Sequence, residues 1–196
     1  MVNAEQVITD AQQLKQSLGK LPEPVVHPVL IIVSGLPGTG KSYLSRKMAE
    51  QLPSVIVESD AMRKKLFPSP VYSAGESQRL FVACHRLVEE LLSSSTSVIL
   101  DATNLVEYHR EFLYRIAERL KVKLIIVWVR APKELVRQRL QGRSQGSDPL
   151  DKSDADWGIY QRMRMRVQRI RRNYFSVDTS GDISSFINKI VREAKH

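Results

Sequence analysis

Gly35-Leu36-Pro37-Gly38-Thr39-Gly40-Lys41-Ser42 combines glycines, a cation and hydroxyls at a spacing that can hold phosphate. It follows the apolar run Val29-Leu30-Ile31-Ile32-Val33 and leads into a helix-compatible stretch, so the local order reads strand, turn, helix. Glycines let consecutive backbone N–H groups turn inward around phosphate oxygens, where a side chain would block the approach. A helix opening near Lys41 adds its positive dipole end and its unpaired amides. Lys41 can bring a point charge to the outer phosphates, and the Ser42 hydroxyl is a hard oxygen ligand of the kind Mg²⁺ prefers. The stretch matches G-x-x-x-x-G-K-[ST], the Walker A pattern, which arises by chance in roughly one chain of this length in a hundred. A nucleoside triphosphate is the ligand it implies.

Further along, the chain offers partners for such a ligand. Asp60 follows a second apolar run, Ser54 to Glu58, and therefore falls at the carboxyl end of a strand, where α/β sheets place their chemistry. If a helical turn opens there, Asp60 and Arg63 at i and i+3 share a face. A carboxylate can orient an attacking hydroxyl and accept its proton, and an arginine can fork onto an anionic part of the acceptor. Ser97-Val98-Ile99-Leu100-Asp101 is a third strand ending in an acid, the expected form of a Walker B aspartate that holds Mg²⁺ directly or through water. Ala102 stands next, in place of the glutamate with which motor-type ATPases activate water. Thr103 and Asn104 at the same edge either contact substrate or cap the helix that follows. Arg139 and Arg143, at i and i+4 before the turn-rich Gln145-Gly146-Ser147-Asp148-Pro149, can close over a triphosphate as part of a lid.

The elements that must position these residues alternate strand and helix. Asn3 is a plausible N-cap with Gln6 three residues on, and Val7, Ala11, Leu14 and Leu18 form one stripe ending at Gly19. Pro22, Pro24 and Pro28 make an extended connector, so residues 1–28 are expected to form an appendage on a domain spanning 29–196. Residues 67–75 are expected to be a loop bordering an acceptor pocket, with a helix from Glu76 to Ser93. In that helix Cys84 lies on the stripe of Leu80, Leu87 and Leu91 and is expected in the core; His85 beside it completes no metal-ligand spacing. A fourth strand is expected over Lys123 to Val129 and a fifth over Tyr174 to Asp178. Residues 161–172 read as a basic helix with a core stripe of Ile159, Met163, Val167 and Ile170, its arginines forming a solvated face.

The 196 residues suffice for one well-buried core. Hydrophobic content of 42% with 26% charge is that of a soluble globular protein, and no apolar run reaches the ~20 residues that span a bilayer. The N-terminus lacks the order of a signal peptide, and one cysteine excludes an internal disulfide, so the expected compartment is the cytoplasm. Thirty Lys+Arg against 21 Asp+Glu give +9, which favours anionic partners: nucleotides, nucleic acid or phosphorylated metabolites. A guanine-specifying Asn-Lys-x-Asp is missing, which argues against a GTPase.

Taken together, Gly35 to Ser42, Asp60-x-x-Arg63, Asp101-Ala102-Thr103-Asn104, Arg139-x-x-x-Arg143 and Val177-Asp178-Thr179-Ser180 resemble the small ATP-dependent P-loop kinases that include polynucleotide 5′-kinase domains, with zeta toxins and gluconate kinases more distant. The resemblance runs from about residue 29 to 192. It implies a three-layer α/β fold of nucleoside-kinase type, with a five-stranded parallel sheet and a helical lid at about 139–155. It also implies ATP with Mg²⁺ and transfer of the γ-phosphoryl group to a hydroxyl. By position it makes Asp60 the acceptor base, Arg63 a contact to acceptor phosphate, Lys41 and Ser42 the β/γ-phosphate and metal ligands, and Arg139 with Arg143 the lid clamp. The acceptor is left open between a polynucleotide 5′-hydroxyl and a small alcohol such as a sugar, nucleotide sugar or antibiotic, with a P-loop ATPase or switch as the third class. Phe67 and Tyr72 are the candidate stacking residues of the 67–75 loop.

Overall fold

A computed structural model describes residues 3–143 and 153–196. Within them the order is α1 (Ala4–Gln16), β1 (Val29–Gly35), α2 (Lys41–Ala49), β2 (Ser54–Glu58), α3 (Ser59–Leu66), α4 (Ala74–Ser93), β3 (Ser97–Asp101), α5 (Glu107–Leu120), β4 (Lys123–Arg130), α6 (Lys133–Arg143), α7 (Trp157–Arg164), β5 (Phe175–Asp178) and α8 (Ser184–Lys195). All five strands run parallel in the order β2-β3-β1-β4-β5. β1 is buried along its whole length, which explains its unbroken apolar run. β2 alternates between half-buried and buried residues because it is an edge strand, so its apolar run is only partly enclosed.

Side chains alternate across a strand, so one apolar run feeds two cores. Leu30 and Ile32 of β1 join Leu14 of α1, Met62 of α3, Leu87 and Leu91 of α4 and Leu113 of α5 on one face. Val29, Ile31 and Val33 join Leu44 and Met48 of α2 and Ile187 and Ile190 of α8 on the other. The fold is thus the three-layer α/β arrangement expected. Cys84 lies in the first core, 2% exposed, and burial pushes its thiol up to about 12.

The appendage helix α1 starts at Asn3, whose side chain accepts from the Glu5 N–H. Gln6 bonds Asp10 instead of closing a capping box. α1 lies against α3 and α4: Asp10, 1% exposed, takes two bonds from the Arg79 guanidinium at 2.6 and 2.7 Å, and Gln13 donates to the Lys65 carbonyl. The Arg79 hydrogen bond holds the Asp10 carboxyl below the usual carboxylate range.

The basic stretch departs from expectation. α7 ends at Arg164, and Met165 is 87% exposed, so the predicted stripe stops there and only Ile170 reaches the core. From Val167 onward the chain forms a strap across the start of α5. Leu105 O accepts from Gln168 N, and Glu107 N donates to Gln168 Oε1. Arg110, with no exposed side-chain surface, binds Glu107 Oε2 at 2.6 Å, the Gln168 and Arg169 carbonyls at 2.9 and 3.2 Å, and the Asn104 carbonyl. Those backbone acceptors are available only because the strap is not helical. Arg110→Met should destabilise the fold by about 3–5 kcal/mol in urea unfolding, since it leaves Glu107 buried without its cation; a loss under 1 kcal/mol would show that the strap is not held this way.

Candidate active site

Parallel register fixes the site's frame. Glu58 is opposite Asp101, and Asp101 is opposite Val33, two residues before Gly35, so three strands deliver their carboxyl ends to one edge. Gly35 N donates to the Thr103 carbonyl at 3.1 Å, tying the start of the phosphate loop to the segment after β3. A Cβ at Gly35 would lie 2.4 Å from the Val129 carbonyl, so no larger residue fits between β1 and β4. Gly40 has φ +89 and turns the chain into α2 without a side-chain cap, leaving the first turn's amides to an anion. Thr39 braces the loop by donating from Oγ1 to the Leu36 carbonyl at 2.8 Å. The Lys41 ammonium bonds the same carbonyl at 3.2 Å.

Leu36 through Ser42 thereby curl over a cleft of about 960 Å³ whose walls include Pro37, Gly38, Gly40, Lys41, Ser42 and Asp101. Arg139 of α6 also lines it and donates to Thr179 Oγ1 at 2.9 Å, the Thr179 carbonyl at 2.8 Å and the Gly38 carbonyl at 3.4 Å. Thr179 in turn donates to the Thr39 carbonyl at 2.7 Å. Thr179, from the Val177-Asp178-Thr179-Ser180 stretch, thereby links the end of β5 to the phosphate loop, a bracing contact that its sequence position did not specify. Arg143 ends α6; its side chain, and residues 144–152 of the expected lid, lie outside the described residues.

The acids beside the phosphate loop number one more than expected. Asp101 is 2% exposed, its Oδ2 has no hydrogen-bond partner, and burial raises its proton affinity while Lys41 opposes the rise. Glu58, the last residue of β2, accepts from Ser42 Oγ at 3.3 Å and lines the same cleft. Burial, reinforced by the charges of Asp101 and Asp60, pushes the Glu58 carboxyl up to about 7. A buried, unpaired carboxylate oxygen beside a serine hydroxyl fits a divalent cation that arrives with a triphosphate. Among the described residues no three His, Cys, Asp or Glu side chains are grouped to hold a metal by themselves. The only signal for Glu58 in the sequence was an acid directly before Ser59-Asp60.

Asp60 stands in the first turn of α3, as expected, and Arg63 one turn on is 8% exposed. Arg63 Nη2 donates to Ser77 Oγ at 3.2 Å; Nη1 has no hydrogen-bond partner and lies 3.6 Å from the Glu76 carboxylate. Its guanidinium sits 4.9 Å from the centre of the Tyr72 ring. Thr103 lines the phosphate cleft, and Asn104 is 3% exposed with φ +44 and an unpartnered Nδ2. Neither caps α5, which begins after Val106 without a side-chain cap.

A second cleft of about 1220 Å³ lies against the first. Arg63, Asn104 and Tyr72 line it; α4 starts at Ala74 after the Ser73 cap rather than at Glu76, so the expected 67–75 loop is shorter and borders the cleft through Tyr72, with Ala74 of α4 beside it. The two clefts share Pro37, Ser59, Asp60, Thr103 and Ser153 as walls. Of the two expected stacking residues only Tyr72 faces this space; Phe67 packs on the core beneath the Arg79 guanidinium. Phe81, His85, Tyr108, His109 and Phe112 line the second cleft instead; Phe81 with His85 and Tyr108 with Phe112 each share a helix face at i, i+4, but that the two faces meet is set by how α4 packs on α5.

A phosphate cradle at the head of a central parallel strand, a buried acid on the neighbouring strand and a second cleft opening beside both define a P-loop nucleotide-binding protein of kinase-type fold. The sequence profile described as AAA domain matches residues 30–170, and the chain belongs to that family. It is similar to L-seryl-tRNA(Sec) kinase of Methanococcus maripaludis, 31% identical over 122 residues that cover 60% of this chain and 47% of that protein. The chain thus spans about half the length of that relative. Among solved structures, Chaetomium thermophilum Kti12 in complex with ADP-AlF3 superposes with a TM-score of 0.66 at 20% identity, covering 84% of this chain and 96% of that one. Mycobacterium tuberculosis APS kinase CysC in complex with AMPPNP and APS does so with 0.63 at 17%, covering 89% and 100%. No helix among the described residues is long and apolar enough to cross a membrane.

Glu58 supplies a test by pH. Its folded-state value of about 7 exceeds the ordinary 4.5, so the folded protein holds a proton that the unfolded chain gives up. Stability of the nucleotide-free protein is therefore full at acid pH and falls as pH climbs through that window. Thermal melts of Glu58→Gln and the parent should coincide at about pH 4, and the variant should melt higher at about pH 8; parallel curves would remove the burial strain assigned to Glu58.

Proposed function

We propose that the protein is an ATP-dependent kinase that transfers the γ-phosphoryl group to a hydroxyl seated beside Asp60. The observation that carries this reading is the shared wall: Asp60 belongs both to the phosphate-loop cleft and to the second cleft, where an acceptor has room. A hydrolase needs no second cleft of that size at its nucleophile's side. The named activities of the seryl-tRNA kinase relative and of APS kinase support the same class.

The acceptor oxygen forms a bond to the γ-phosphorus as the bond to the β,γ-bridging oxygen breaks, and the acceptor proton passes to the Asp60 carboxylate. Because such transition states are loose, positioning and charge neutralisation supply most of the acceleration. Lys41 places its charge on the outer phosphates, and Arg139, fixed by Thr179 and Gly38, holds a second cation beside the loop. Mg²⁺, bound with the nucleotide, would be held by Ser42 and Asp101 and would supply charge neutralisation at the phosphates. Residues 1–28 serve in this reading as an appendage to the kinase domain of 29–196, and the 139–155 segment with Arg143 as its lid. Arg63, Thr103 and Asn104 contact the acceptor.

Incubation with radiolabelled ATP and either 5′-hydroxyl oligonucleotides or a metabolite panel tests the class: label moves to a strand or to a small alcohol, and release only as free phosphate overturns the kinase. Asp60→Ala should lower transfer about 10²–10⁴-fold while ATP affinity stays within about twofold. Lys41→Ala should weaken nucleotide binding as well as rate. Unchanged turnover in Asp60→Ala would refute its role.

A further inference from the structure

Charge pairing divides the arginines around the second cleft into two groups. On α4 and α5, Arg86 meets Glu90 at 2.9 Å, Arg115 meets Glu111 at 3.7 Å and Arg119 meets Glu89 at 2.7 Å. On α7 and the strap, Arg162, Arg164, Arg166, Arg169 and Arg171 are all exposed, and none of them forms an ion pair among the described residues. Arg172, which ends the run, pairs with Glu118. Like charges set this close repel one another, and an anionic partner offsets that repulsion where the chain supplies no carboxylates.

The same stretch holds apolar side chains in water. Met165 is 87% exposed between Arg164 and Arg166, and Val167 beside Arg166 is 38% exposed. Their backbone is fixed: Arg166 N donates to the Met163 carbonyl, Gln168 N to the Leu105 carbonyl, and Arg110 holds the carbonyls of Gln168 and Arg169. Met163 and Arg166 also line the second cleft, where Tyr108 is 60% and Phe112 36% exposed.

Cations interleaved with apolar side chains, with aromatic rings beside them, suit the boundary between lipid headgroups and acyl chains. A nucleic-acid backbone makes use of the arginines but gains nothing from an exposed methionine and valine. The apolar side chains therefore decide between these two polyanions. We propose that α7 and the strap, with Tyr108 and Phe112 beside them, dock the protein on an anionic membrane surface. The arginines take headgroup oxygens, and Met165 and Val167 enter the acyl boundary. Docking of this kind uses the chemistry of neither cleft and holds whether or not the protein is a kinase.

The test is co-sedimentation of the full chain with sucrose-loaded vesicles. Phosphatidylcholine vesicles with about 30% phosphatidylserine should bind it at least about tenfold more tightly than phosphatidylcholine alone, and raising salt from about 0.1 to about 0.5 M should release it. Arg164→Gln combined with Arg169→Gln should weaken binding about 25-fold, about fivefold for each charge. Met165→Ser should weaken it about fivefold without altering the salt dependence. Arg192→Gln combined with Lys195→Gln removes the same charge from α8 and should leave binding within about twofold. All five positions are exposed, so melting temperature and the affinity for an ATP analogue should not change.

Equal binding to neutral vesicles, an equal loss in the α8 variant, or full affinity in Met165→Ser overturns the proposal. If an oligothymidylate binds more tightly than the vesicles and Met165→Ser alters neither affinity, the strap belongs to a nucleic-acid backbone and the membrane docking falls.

Discussion

The register of β2, β3 and β1 is the constraint on which the site depends. Parallel pairing sets Glu58 against Asp101 and Asp101 against Val33, so two carboxylates and the head of a phosphate loop end at one edge of the sheet. A slip of one residue in β3 would turn Asp101 into the opposite helix layer and exchange it for Leu100, because side chains alternate across a strand. The two apolar cores prevent that slip: each face of β1 is filled by a different set of helices, and neither accepts a carboxylate. Sheet packing on both sides therefore keeps the charges at the edge in place, at the cost of holding Glu58 and Asp101 in surroundings that resist ionisation.

Support from outside the sheet follows the same logic. Arg139 and Thr179 brace the loop from the far side, with Thr179 bridging the end of β5 to the Thr39 carbonyl. On the second cleft's side, α1 fixes α3 through Gln13 and α4 through the Asp10–Arg79 pair, although α1 precedes the residues that match the family profile. Arg110 does the equivalent work after β3, joining the Asn104 loop to the strap of residues 167–170. Arg110, fully buried, and Arg139, half-buried, each hold two or more carbonyls because a guanidinium can satisfy several backbone acceptors in a fixed plane.

The phosphate loop was legible because its demands are local. Glycines at 35, 38 and 40, a lysine and a serine must lie within a few bonds of one another to surround an anion, and the apolar runs flanking them identify strands without reference to the rest of the chain. The same holds for Asp60, Asp101 and the buried Cys84, each read from its place relative to one strand or one stripe. The basic stretch was misread for the complementary reason. Its helical period is real through Arg164, and what ends the helix is the hydrogen-bonding capacity of Leu105, Glu107 and Arg110, some sixty residues away in sequence.

Sequence by itself determined the alternation of strand and helix, the anion cradle and the acids at strand ends, since propensity, period and short-range spacing are properties of contiguous residues. Tertiary structure alone decided the strand order, the edge position of β2, the convergence of Glu58 with Ser42 and Asp101, and the aromatic lining drawn from α4 and α5. Those depend on which surfaces exclude water against one another, and that choice is made by packing the whole chain at once.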